Sequence, residues 1–175
     1  MEQITYTVLP SNEIHILGKL HKVNPPIIKV KRKSINGHIA EWDDEKKEIH
    51  YTNAATPLNI YHEEGHAKLG HKGNWINTCH SDLAQAKRIA KKEISAEIYA
   101  YLKCNKPIDW SVAIHALERL SGDLPIVLPE YKIIRIVTSV LHQMGIEIPE
   151  GHGFANQDCI WENNKGKFIK TAMKV

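Results

Sequence analysis

The sequence lacks what would staple it, export it or hold it in a bilayer. Its three cysteines, Cys79, Cys104 and Cys159, stand far apart in 175 residues, an odd and scattered set that gives no disulfide framework. No stretch approaches the roughly 18 consecutive apolar residues of a membrane-spanning helix. The opening Met1-Glu2-Gln3-Ile4-Thr5 carries neither the basic segment nor the long apolar segment of a secretory leader. These absences lead us to expect a reduced, cytoplasmic protein with no membrane partner. Charge of one sign is also scarce. The net value is +3, too mild to argue for nucleic acid, and the local run Lys29, Lys31, Arg32, Lys33 reads as a solvated strand or turn. Aromatics make up 7%, and Trp42, Trp75, Trp110 and Trp161 read as packing residues rather than a base-stacking platform. No repeat or low-complexity segment stands out. What remains is an ordinary globular composition, 42% hydrophobic and 25% charged, long enough to bury one core. We read a single domain over 1–175, divided into a β-rich 1–54, two site helices within 56–104, and accessory helices and a hairpin in 105–175.

One stretch organises the rest: Pro57–Gly70, which contains His62-Glu63-Glu64-Gly65-His66, an instance of H-E-x-x-H. On a helix, side chains four apart share a face, so His62 and His66 can reach one metal ion. Glu63 is turned about 100° from His62, placed to address a water beside the metal without competing as a ligand. A random order of this composition yields the pattern roughly 0.05 times, so context decides. Thr56 is a good N-cap, Pro57 suits the first helical position, and Gly70 supplies a C-cap. Gly65 lowers helix propensity by about 1 kcal/mol relative to Ala, which close packing near a site explains better than chance.

Upstream, Ile4–Leu9 alternates as a strand and Ile14–Gly18 is short and apolar. Asn24-Pro25-Pro26 precedes a strand over Ile27–Arg32. Asn36-Gly37 is a two-residue hairpin signal joining that strand to His38–Trp42, and a turn at Asp43–Lys47 leads to Glu48–Thr52, whose edge could receive an extended peptide. Downstream, Ser81 caps a long helix, Asp82–Lys103, ended by Asn105–Pro107. Further helices are expected over Asp109–Leu120 and Pro129–Met144, the latter with Ile133, Val137, Val140, Leu141 and Met144 on its apolar face. A hairpin follows around Asn163-Asn164-Lys165-Gly166. The fold class is α+β: an N-terminal antiparallel sheet packed on a zincin-like helix pair, with further C-terminal helices.

A catalytic zinc site wants three protein ligands and an open position. His71, Cys79, His80 and Glu93 are the candidates for the third. His71 falls at the wrong spacing for the extended metzincin motif, and Cys79-His80 lacks an orienting partner. Along the long helix, Leu83, Ala86, Ala90, Glu93, Glu97 and Ala100 form one stripe. Two carboxylates on an otherwise small and apolar stripe need a partner or a metal.

Glu93-x-x-x-Glu97 resembles the Glu-x-x-x-Asp of gluzincins, the thermolysin-like metallopeptidases. That resemblance implies that Glu93 is the third ligand and that Glu97 fixes the ring of His62, with Glu97 standing where the family has Asp. More narrowly, His62, Glu63, Gly65 and His66, followed by Glu93, Ala96, Tyr99, Ala100, Leu102 and Pro107, resemble the ImmA/IrrE family of small bacterial metallopeptidases over roughly residues 35–107. Two features depart from that family: Lys103-Cys104-Asn105-Lys106 replaces its usual Leu-Met-Pro ending, and β structure replaces an N-terminal helix. The resemblance implies Zn²⁺, a peptide or protein substrate, and a regulatory protein such as a repressor as that substrate. The expected activity is peptide-bond hydrolysis with Glu63 as general base, and Tyr99, His71, His80 and His115 as candidate oxyanion donors. The rival is a zinc-stabilised binding or regulatory protein that keeps the fold without turnover. Oligomeric state is left open.

Overall fold

The computed structural model describes residues 20–72, 83–107, 112, 115, 130–143, 150–151, 153–155, 159–165 and 167–172. The expected strands at Ile4–Leu9 and Ile14–Gly18 lie outside them. The first sheet consists of β1 (Ile28–Lys31), β2 (Ala40–Asp43) and β3 (Glu48–Tyr51), in the order β1-β3-β2. Two helices follow, α1 (Pro57–Lys68) and α2 (Leu83–Lys103), and then α3 (Glu130–Gln143). A second sheet is formed by β4 (Gly153–Ala155), β5 (Cys159–Asn164) and β6 (Lys167–Ala172), each strand antiparallel to its neighbour. The expected hairpin around Lys165 is its β5–β6 connection, with Asn164 opposite Lys167. Val112 and His115 are helical, and the rest of the helix expected at 109–120 lies outside the described residues.

The first sheet corrects the sequence reading in two ways. It is mixed, not antiparallel: β1 runs parallel to β3, while β2 and β3 pair antiparallel. Asn36 and Gly37 do form a tight turn, with φ of 42° and 87°, both left-handed as such turns require. Its ladder stops at a single bridge, Ile35 to His38. Residues 32–39 then leave room between β1 and β2, and β3 occupies it. The second correction follows, because β3 is the central strand and offers no free edge to a peptide. Central placement suits its sequence. Ile49 is fully buried, and its register partners are Trp42 and Lys29. The Lys29 ammonium reaches Glu64 and Tyr61 on α1, so this face of the sheet turns toward the helix. Alternation places His50 and Glu41 on the other face. The β2–β3 turn forms where expected. Asp43 Oδ1 accepts the backbone N–H groups of Glu45 and Lys46 at 3.1 and 3.0 Å, and the Lys46 amide foremost holds the Asp43 carboxyl below its ordinary value.

α2 is the axis of the core. Ala90, Ile94, Ala96, Ile98, Ala100 and Tyr101 are all buried, so the helix is covered on more than one stripe. α1 lies on one side and α3 on another, and Ile136, Val140 and Leu141 of α3 are buried. Asn105, with φ 52°, ends α2. The turn returns the Asn105 and Lys106 amides to the carbonyls of Leu102 and Tyr101 at 3.1 and 2.8 Å, satisfying two of the terminal acceptors.

Candidate metal centre

Local sequence sets α1 with little freedom. The Thr56 and Asn59 side chains satisfy each other's backbone N–H groups, a reciprocal capping box, and Pro57 occupies the first turn. At the far end Gly70 takes φ +69°. The Gly70 and His71 amides donate to Ala67 and His66 at 3.2 and 2.9 Å. That turn folds residue 71 back over residue 66, and the two rings meet at Nδ1–Nδ1 2.9 Å.

α2 packs antiparallel across α1: His66 meets Glu93, and one turn earlier His62 meets Glu97. Gly65 permits the approach. A Cβ there would lie 3.0 Å from the Ala96 Cα and O and 3.2 Å from the Tyr99 Cβ, closer than packed atoms tolerate. The glycine inside the motif is therefore the contact point of the two helices.

The result is a convergence of donor atoms. His62 Nε2 lies 3.0 Å from His66 Nε2 and 3.1 Å from Glu93 Oε2, while His66 Nε2 lies 3.2 Å from Glu93 Oε1. Among the described residues this is the one group of three metal-ligating side chains whose donor atoms all lie within 4.8 Å of one another. All three residues are buried, as is Glu97. Behind His62, Nδ1 meets Glu97 Oε2 at 2.7 Å, and Glu97 Oε1 lies 3.1 Å from His115 Nδ1.

Burial opposes charge on Glu93, but His66 and His62 together outweigh it and hold the carboxyl well below its usual range. Where Glu97 is ionised it only accepts, and His62 Nδ1, 2.7 Å away, is then the donor. In the neutral ring this leaves the Nε2 lone pair facing Glu93 and His66. Burial, then the neighbouring charges of His66 and Lys92, push His71 down to about 3, so it is a neutral partner to His66. Two imidazole nitrogens and a carboxylate oxygen crowded at about 3 Å repel one another unless protons or a metal ion lie among them. Two histidines and a glutamate form a donor set of catalytic zinc. The residues present fit such an ion.

The remaining sequence candidates divide. Glu63 is half-buried on α1, and among the described residues nothing pairs with its carboxylate. His71 does not join the three donors but backs His66. Cys79 and His80 lie outside the described residues. Two of the oxyanion candidates are engaged elsewhere. The Tyr99 hydroxyl donates to Glu64 Oε1 at 2.8 Å, and burial together with Glu64 raises its pKa. His115 faces Glu97 and the Tyr101 hydroxyl. Sequence reasoning missed Glu64, which links Tyr99 of α2 to Lys29 of β1 at 3.4 Å and so ties three elements beside the motif. Nothing in its spacing singles it out.

Comparison with protein-family models, curated proteins and solved structures finds no match to this chain. The geometry is that of an α+β protein of zincin-like arrangement with a buried His-His-Glu cluster suited to a metal. No helix among the described residues is long and apolar enough to cross a membrane.

Proposed function

We propose that the chain is a zinc-dependent peptidase in which His62, His66 and Glu93 hold the metal and Glu63 is the general base. The observation that carries this reading is the meeting of those three donors on two helices, with Glu97 fixed behind His62. When bound, the ion supplies Lewis acidity, polarising a scissile carbonyl and acidifying water. The chain's own groups do the rest. Glu97 keeps the proton of His62 on Nδ1 and so turns Nε2 toward the donors, a supporting role that metal sites require. His71 does the same for the ring of His66. A carboxylate oxygen of Glu63 takes a proton from the attacking water and returns it to the leaving nitrogen.

The resemblance of the α1 and α2 motifs to the ImmA/IrrE family supports a narrower version, with the substrate an intracellular regulatory protein such as a repressor and 1–175 acting as one domain. A second reading has its own observation. His62 and Glu93 are only 1% and 3% exposed, a closure that also suits a purely structural zinc in a non-catalytic binding protein.

Metal content and hydrolysis of an internally quenched peptide library, measured on wild type and Glu63→Gln, separate the two. The peptidase requires about one zinc per chain in both and a loss of roughly 10²–10⁴ in rate in Glu63→Gln. Full activity in the variant would remove Glu63 as the base. Zinc in both proteins with hydrolysis in neither would favour the structural reading.

A further inference from the structure

At the other end of α1, away from its capping box, a cavity of about 390 Å³ is lined by His21, Lys22, Lys68, Tyr99 and Lys103 together with two leucines. We propose that it binds a small phosphate-bearing anion, independently of the reading given above. The three lysines come from three separate parts of the chain and are brought together by specific contacts. The His21 amide donates to the Lys68 carbonyl at 2.7 Å, seating the segment before β1 on the end of α1. Gly70 lies beneath it, and a Cβ there would stand 3.4 Å from the His21 ring. The Lys103 ammonium lies over the Tyr99 ring, 5.6 Å from its centroid, at the cavity wall.

The charge pattern points to the ligand. Some cations elsewhere have a carboxylate within 4.0 Å, as Lys29, Arg32, Lys46 and Lys47 do, and others such as Lys31 and Arg88 show none among the described residues. What sets Lys22, Lys68 and Lys103 apart is that they line one cavity. Among the described residues they too have no such carboxylate, and no acidic side chain lines the cavity. Lys68 and Lys103 stand in the last turns of α1 and α2, where the helix dipole favours a cation. That does not account for Lys22, which comes from outside either helix. Three like charges around one space repel, and an anion carrying two charges relieves them together. Lysines are point charges that take phosphate oxygens from many directions. The volume suits a small molecule and is far too small for a duplex. Tyr99 forms part of the wall and its hydroxyl is bonded to Glu64, so an occupant would touch the network that ties α2 to the motif helix.

The test is an NMR titration of the full-length, metal-loaded chain with glycerol 3-phosphate at constant ionic strength, with glycerol plus chloride as the blank. The expected result is saturable movement of the amides of residues 21, 22, 68 and 103. Binding should weaken at least about tenfold in Lys22→Glu and Lys68→Glu, less in the conservative Lys22→Gln, and not at all in Lys165→Glu, an equal change in charge outside the cavity. Non-saturable shifts, or equal weakening by Lys165→Glu, would overturn the site. A short DNA duplex that moves the same amides and is not displaced by glycerol 3-phosphate would also overturn it, in favour of a nucleic-acid surface. Because the readout is binding, absence of peptidase activity would leave this result untouched.

Discussion

Two clusters in this protein are built from the same parts, a histidine between two glutamates, and they differ in kind. His50, on the sheet face turned away from α1, has Glu48 on Nε2 at 2.7 Å and Glu41 on Nδ1 at 3.3 Å. Those carboxylates are 23% and 40% exposed, and Arg32 stands 3.8 Å from Glu48. His62 likewise has a glutamate on each nitrogen, but the side chains of Glu93 and Glu97 are only 4% and 0% exposed. A second imidazole nitrogen also points into the same space at 3.0 Å. In the first cluster the carboxylates are open to water and Glu48 also faces the Arg32 guanidinium. In the second, two imidazole nitrogens and a carboxylate converge at about 3 Å among buried side chains. Residue types alone do not mark a metal site; convergence and burial do.

The sharpest way to break this contrast is to remove one carboxylate from each cluster. Glu93→Ala should lose its zinc altogether, whereas Glu48→Ala should keep about one ion per chain, as read by elemental mass spectrometry on purified protein. Full zinc in Glu93→Ala would place the third ligand elsewhere, in the 71–80 stretch, and the contrast would collapse. A smaller effect is expected one step further out. Glu97→Gln can still accept from His62 Nδ1 but no longer carries charge, and loss of such a supporting partner weakens metal affinity by about 10–100-fold. Competition with a chelator of known affinity measures it. An unchanged affinity would reduce Glu97 to a buried spectator.

Much of the helix pair was legible in the sequence because its signals are local. Thr56-Pro57, the four-residue spacing of His62 and His66, and the Glu93–Glu97 step each carry their meaning within one or two turns. Gly65 was legible as a packing position for the same reason, since a helix keeps glycine only at a cost. The sheet was misread where pairing is long-range. Asn36-Gly37 dictates a turn and correctly does so, yet nothing in the turn dictates which strand lies beside β1. The strand that lies there is β3, whose Ile49 is fully buried in the central position. Glu64 was invisible because its partners, Lys29 and Tyr99, are each 35 residues away in sequence. His71 was noticed as a possible ligand, whereas the positive φ of Gly70 turns it into the support of His66.

Packing at the helix crossing gives a prediction of intermediate size. Gly65→Ala gains up to about 1 kcal/mol of helix propensity. It must also push Ala96 backbone atoms from 3.0 Å, an overpacking that typically costs about 1–3 kcal/mol. Net destabilisation in urea unfolding, together with weakened zinc binding as Glu93 moves off the histidines, is the expected pair of results. A stabilised Gly65→Ala would mean that the helices can part without cost. The smallest effect belongs to the open cluster. A double-mutant cycle of His50→Gln and Glu41→Gln should give a coupling within about 1 kcal/mol. It should shrink as salt is raised from 0.05 to about 0.5 M, because the Debye length falls below about 5 Å. The same cycle on His62 and Glu97 should be larger and nearly indifferent to salt, since neither group meets solvent. Equal couplings with equal salt dependence would show that burial does not separate the two clusters, and that the metal-site reading rests on the 3 Å convergence of donors alone.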